Sequence, residues 1–147
     1  MNESIQTCFG DDHPVYHDAS FIRKKVFVEE QRISITKERD GMDSAAHHFV
    51  AYCNGKPIAC ARMIVAEDEA KIGRIAVLPA YRNKGVASRI CQGCIAFSQE
   101  QGIAMLYLYA QTYTAKLYKN LGFIHIGEIF YVENIPHIRM EKTISNV

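Results

Sequence analysis

The sequence predicts a mixed α/β fold, a central β-sheet carrying helices on both faces. Three observations carry this. The elements follow in the order β, α, several antiparallel strands, α, β, α, β, β, which is the signature of a sheet with flanking helices. Asn54-Gly55 joins two strand-like runs and is a strong short hairpin signal, so the early strands pair antiparallel. MLYLYA (105–110) is short, fully apolar and bracketed by helical segments, as a buried central strand would be. With 147 residues the chain is expected to form one domain, 1–147, with no room for a second core.

Residues 3–8 form the first expected strand, followed by a turn at Gly10-Asp11-Asp12. Asp18 is a candidate N-cap for a helix running to about Glu30. The polar segment Ser34 to Ser44 is expected as a loop with at most a helical turn, and its acids Glu38, Asp40 and Asp43 as a solvated turn. A meander follows: His48 to Cys53, Pro57 to Ala66, a turn at Glu67-Asp68-Glu69, then Lys71 to Leu78. Consecutive strand residues face opposite ways, so His47 and His48 cannot share a site. His48 is expected to serve positioning or sheet structure. Lys84 to Gln101 is a helix stopped by Gly102. Thr112 to Asn120 is a second helix closed by Leu121-Gly122, and strands at 123–132 and 137–142 complete the sheet.

Composition excludes several function classes. A net charge of +1 gives no footing for a nucleic-acid partner or a membrane surface. No apolar run approaches the ~20 residues of a membrane span, and MNESIQTCFGDDH is too polar for a signal peptide. A cytoplasmic protein is therefore expected, and five cysteines, an odd number, fit reduced thiols.

The stretch Tyr81 to Cys94, YRNKGVASRICQGC, suggests two chemistries. Its first half follows a strand and opens a helix, where N–H groups lack intrahelical partners and the helix dipole is positive. That arrangement suits a pyrophosphate, with Gly85 allowing close approach and Ala87 keeping the next position small. Its second half has the CxxC spacing of a metal or redox pair. However, Val86, Ile90, Cys94 and Phe97 form one helical stripe, with Ala87, Cys91 and Ile95 beside it. Both thiols therefore fall on an apolar face, and Cys8, Cys53 and Cys60 offer no second ligand pair. The cysteines are expected to pack, and no metal is expected.

The run Ile72 to Ala87, IGRIAVLPAYRNKGVA, closely resembles the acetyl-CoA-binding motif of the GNAT N-acetyltransferase superfamily, Arg/Gln-x-x-Gly-x-Gly/Ala after a strand ending in a Val-x-Pro-like step. Ala115-x-x-Tyr118-x-x-x-Gly122-Phe123 resembles the second family signature. VFVEEQ (26–31), His48-Phe49 and ENIPHIRM (133–140) resemble the smaller ElaA/YjcF-like branch, so the likeness spans about Arg23 to Lys142.

The resemblance implies a GNAT-like acyl-CoA N-acyltransferase fold with acetyl-CoA as cosubstrate. It implies that the backbone of Arg82, Asn83, Lys84, Gly85, Val86 and Ala87 holds the pyrophosphate. Ile75, Ala76 and Val77, beside a bulge, would expose backbone to pantetheine. Tyr118 matches the tyrosine that serves as general acid toward the departing thiolate, chemistry within reach of a phenol of pKa about 10. Glu30 extends the stripe of Ile22 and Val26 and coincides with the family pattern, which makes it the carboxylate candidate for the base. His137 follows Pro136 on the strand face opposite Ile138 and Met140, and is the candidate for proton relay or substrate orientation. The expected acceptor is a small-molecule or peptide primary amine, attacked directly in a ternary complex. The alternative is a non-catalytic acetyl-CoA or CoA sensor of the same fold. A homodimer through last-strand pairing is compatible with this fold.

Overall fold

The computed structural model describes residues 2–144. Seven strands form one sheet in the order β1-β2-β3-β4-β5-β7-β6. They are β1 (Glu3–Phe9), β2 (His47–Cys53), β3 (Lys56–Ala66), β4 (Glu69–Val77), β5 (Met105–Gln111), β6 (Ile124–Val132) and β7 (Ile135–Thr143). All neighbours run antiparallel except β4 and β5, which are parallel. The β2–β3 hairpin closes through Asn54 (φ 52°) and Gly55 (φ 81°), both left-handed, as the twist of a tight hairpin requires.

Period-two alternation sends adjacent strand residues to opposite faces, and each face carries a helix. On one, helix α3 (Val86–Gln101) lays Ile90, Cys91 and Cys94 against Phe49, Ala51, Met63, Leu106 and Leu108. On the other, helix α1 (Pro14–Arg23) packs Val15, Ala19 and Ile22 on Val50, Tyr52, Cys60 and Ala76. Cys91 and Cys94 are fully buried, so the apolar-stripe expectation describes their surroundings correctly. His47 packs tilted against Phe9 and Phe97, whereas His48 is buried against Tyr16 on the opposite face. The described helices include none long and apolar enough to cross a membrane.

Two expectations are corrected. Asp18 does not cap α1. The helix starts at Pro14, whose ring presets a helical φ, and the Nδ1 of His13 accepts the Val15 N–H at 3.1 Å as the cap. Asp18 lies inside the helix and accepts the Tyr52 hydroxyl at 2.6 Å. Nor is the acidic loop a solvated turn. Around helix α2 (Ile35–Glu38), Glu38 and Asp43 are buried, because Arg23, Arg62 and Arg74 project into the same space and need carboxylate partners.

α1 also ends differently from the plain helix expected. From Lys24 to Glu30 it continues as π-helical turns, with the Gln31 N–H bonded to the Val26 carbonyl at 3.0 Å. Such insertions are frequent at functional sites. Here the π segment carries Phe27 and Gln31 to a cleft and Glu30 to the turn before α3.

Candidate active site

β4 and β5 pair only at Glu69–Met105, Ala70–Leu106 and Lys71–Tyr107, and beyond Lys71 the two strands separate. The cause lies in β4. Arg74 and Ile75 oppose the single residue Ala61 on β3, a bulge with Arg74 in the left-handed region at φ 51°. The buried Cys60 thiol donates to the Arg74 carbonyl at 3.4 Å and anchors the bulge from the β3 side. The gap holds a cavity of about 450 Å³, lined by Ile72 to Ile75 of β4, Leu108 to Gln111 of β5, Tyr118 and His137. A bulge at this position matches the sequence expectation.

β4 leads out of the gap through the 3₁₀ turn Pro79–Tyr81 into the turn before α3. Asn83 (φ 61°) and Gly85 (φ 77°) are left-handed, and Gly85 caps the helix without any side-chain hydrogen bond. The opening N–H groups of α3 are thus left for an external acceptor. A Cβ on Gly85 would meet only Arg89 Nη1, at 3.0 Å and at the end of a flexible side chain, so it is the left-handed backbone that calls for glycine here. Charged side chains brace the turn from outside. Arg82 Nε donates to the Val77 carbonyl at 2.9 Å, and Arg89 donates to the Lys84 carbonyl at 2.9 Å. The Val77 carbonyl is therefore engaged within the chain. Ile75 lines the cavity, and Ala76 is buried toward α1.

Tyr118 sits on helix α4 (Ala115–Asn120), which follows β5 after a 3₁₀ turn at Thr112–Thr114. It is buried against Phe123, and its hydroxyl has no hydrogen-bond partner among the described residues. Burial, reinforced by the neighbouring thiols of Cys91 and Cys94, pushes its pKa well above the usual phenol value. It keeps its proton at neutral pH and its hydroxyl can offer a hydrogen bond.

His137 on β7 faces the same cavity and stacks on Phe130, with ring centroids 5.9 Å apart. Its Nδ1 lies 2.8 Å from the Ile135 carbonyl. A carbonyl only accepts, so Nδ1 carries a proton, and in the neutral ring Nε2 holds the free lone pair.

Glu30 is placed differently from the free base expected. Both its oxygens are taken by Arg82, at 2.6 and 2.7 Å, and it does not line the cavity. The hydrogen bond from Arg82 lowers its pKa, which makes it a poorer proton acceptor. The pair instead ties the π segment to the phosphate turn. Tyr118 and His137 are brought together around one cavity, and Glu30 is set apart from them.

The ionic cluster behind the cavity escaped the sequence reading. Glu38 accepts from Arg23 Nε at 2.7 Å and from Arg74 Nε at 3.0 Å. Asp43 accepts from Arg23 at 2.9 Å and from Arg62 at 3.1 Å, and Asp40 takes two bonds from Arg62 at 2.8 and 2.9 Å. The hydrogen bond from Arg62 holds Asp40 far below the ordinary carboxylate range. At Asp43 burial acts upward, but Arg23 and Arg62 outweigh it and leave the pKa lowered. The legible signal was Arg62 and Arg74 inside otherwise apolar strands, since buried cations demand carboxylate partners.

Comparison with known proteins agrees with this geometry. Residues 13–144 match the family described as an acetyltransferase (GNAT) domain. A provisionally named acetyltransferase of Bacillus subtilis (strain 168) is 36% identical over 129 residues, covering 86% of this chain and 88% of the relative. The N-acetyltransferase YjcF of the same organism, itself uncharacterised, is 31% identical over 126 residues, covering 85% and 90%. The crystal structure of Escherichia coli ElaA superimposes with a TM-score of 0.85 at 25% identity, over 96% of this chain and 99% of that one. The chain therefore belongs to the GNAT acetyltransferase family, in its ElaA- and YjcF-like branch, and is an acyltransferase.

Proposed function

We propose that the protein transfers the acetyl group of acetyl-CoA to a primary amine by direct attack, with donor and acceptor bound together. The observation that carries this is the β4–β5 gap: the buried, protonated Tyr118 lines it, and β4 leads from it along the chain to the uncapped start of α3. The residues present fit the donor. The open N–H groups around Gly85 suit a pyrophosphate, and the unpaired backbone near Ile75 suits an amide-bearing arm.

The cosubstrate supplies an activated acyl group, and the chain's own residues manage protons and position. Transfer forms a carbon–nitrogen bond and breaks the carbon–sulfur bond of the thioester. Tyr118 gives its hydroxyl proton to the departing sulfur. His137, through Nε2, takes the proton that the amine loses. Glu30 acts at a distance, by fixing Arg82 beside the phosphate turn. Buried thiols are poor nucleophiles, and burial raises the pKa of Cys91 to about 12, which favours direct attack over an acyl-cysteine intermediate. The acceptor enters from the side of Phe27, Gln31 and Glu133, which also line the cavity.

The test is release of CoA thiol from acetyl-CoA across a panel of primary amines, including diamines, amino sugars, amino acids and lysine peptides. At least one acceptor should give steady turnover and an acetylated product. Tight acetyl-CoA binding without turnover on any amine would replace the enzyme by a sensor of the same fold.

A further inference from the structure

Arg74 is an unusual residue to find at φ 51°, because a side chain with a Cβ resists the left-handed region. Its partners show what holds it there. Nε donates to Glu38 at 3.0 Å, and Nη2 donates to the Glu38 carbonyl at 3.0 Å and to Asp40 at 3.2 Å. Glu38 is itself locked by Arg23 from α1, and Asp40 by Arg62 from β3. The acidic loop around α2 thus grips the side chain of the bulge's left-handed residue. The bulge is where β4 turns out of register with β3, three residues after its last pair with β5.

We propose that Arg74 is a positioning residue for the acyl donor: the acidic loop, by holding its guanidinium, keeps the β4 bulge formed and the β4–β5 gap open. The proposal rests on reading that gap as the acetyl-CoA site. It makes the loop that borders the acceptor side a determinant of donor geometry.

Alanine and glycine at this position separate backbone from charge. Both remove the ion pairs, yet only glycine adopts a positive φ without a steric penalty. Neither change strands a buried charge, since Glu38 keeps Arg23 and Asp40 keeps Arg62. Acetyl-CoA binding to the full chain is measured by calorimetry for wild type, Arg74→Ala and Arg74→Gly, together with melting temperatures and a crystal structure of Arg74→Ala. The alanine variant should bind about tenfold more weakly, the scale of the left-handed penalty that the anchor no longer offsets. The glycine variant should stay within about threefold of wild type. In the Arg74→Ala crystal, position 74 should move to negative φ, with β4–β5 pairing extended beyond Lys71. Wild-type binding by the alanine variant, or equal weakening in both variants, overturns the proposal. A bulge retained at positive φ in Arg74→Ala also overturns it. Failure of wild type to bind acetyl-CoA would instead defeat the reading of the gap, while the backbone at position 74 still decides whether Arg74 holds the bulge.

Discussion

Replacing Glu38 by glutamine keeps the shape of the side chain and removes its charge. In the native protein this carboxylate is almost wholly buried, at 2% side-chain exposure, and its Oε2 lies 2.7 Å from Arg23, itself at 1%. Removing one member of a buried pair leaves the other charge uncompensated, at a cost of about 3–5 kcal/mol. Here Arg23 keeps Asp43 at 2.9 Å, and the glutamine oxygen still accepts a hydrogen bond, so the low end, about 3 kcal/mol, applies. For a chain of this size each kcal/mol moves the melting temperature by about 2–4 °C, which gives a fall of about 6–12 °C. Circular dichroism melts and urea titrations of both proteins measure it. A loss within about 0.5 kcal/mol, the range of ordinary surface changes, would refute the buried cluster and restore the solvated turn.

Gly85→Ala should cost about 1–2 kcal/mol of stability from its left-handed backbone and weaken acetyl-CoA binding as well, because that backbone shapes the turn that presents the first N–H groups of α3; paired melting and calorimetry on the variant check this. Thiol labelling of the folded protein at pH 7–8 should be confined to the half-buried Cys8 and should reach all five cysteines only in denaturant. Asp40 and Asp43 have pKa values lowered on folding, so the stability they contribute is complete above the unfolded carboxylate range, about 3.9, and drains away as pH falls below it. Urea midpoints from pH 7 down to pH 2 should therefore decline mainly at the acid end, and this acid-linked loss should shrink in Asp40→Asn.

The fold was legible because its signals are local. Asn54-Gly55 dictates a hairpin, Gly102 stops a helix, and the apolar run MLYLYA forms an interior strand, though Tyr109 on it is exposed. The bulge beside Ile75 was implied by the family resemblance. What stayed hidden depends on partners distant in sequence. Glu38, Asp40 and Asp43 look like any polar loop until Arg23, Arg62 and Arg74 converge on them from three other elements. Glu30 fits a base by its place in the helix pattern, but its role is set by Arg82, 52 residues later. Asp18 had the chemistry of an N-cap, and Pro14 moved the helix start four residues upstream of it. Tyr118 and His137 could be nominated from sequence, yet only the sheet brings them to one cavity.

The central claim is that Tyr118 delivers the proton to the leaving thiolate, and Tyr118→Phe tests it directly. The ring is buried and its hydroxyl has no partner among the described residues, so the variant should fold and bind acetyl-CoA as wild type does. The kcat with a responsive amine should fall by about 10²-fold or more. Because the raised pKa keeps the wild-type phenol protonated, no alkaline loss of wild-type rate from Tyr118 should appear below pH ~10. A kcat in Tyr118→Phe equal to wild type across the whole pH range would contradict the account.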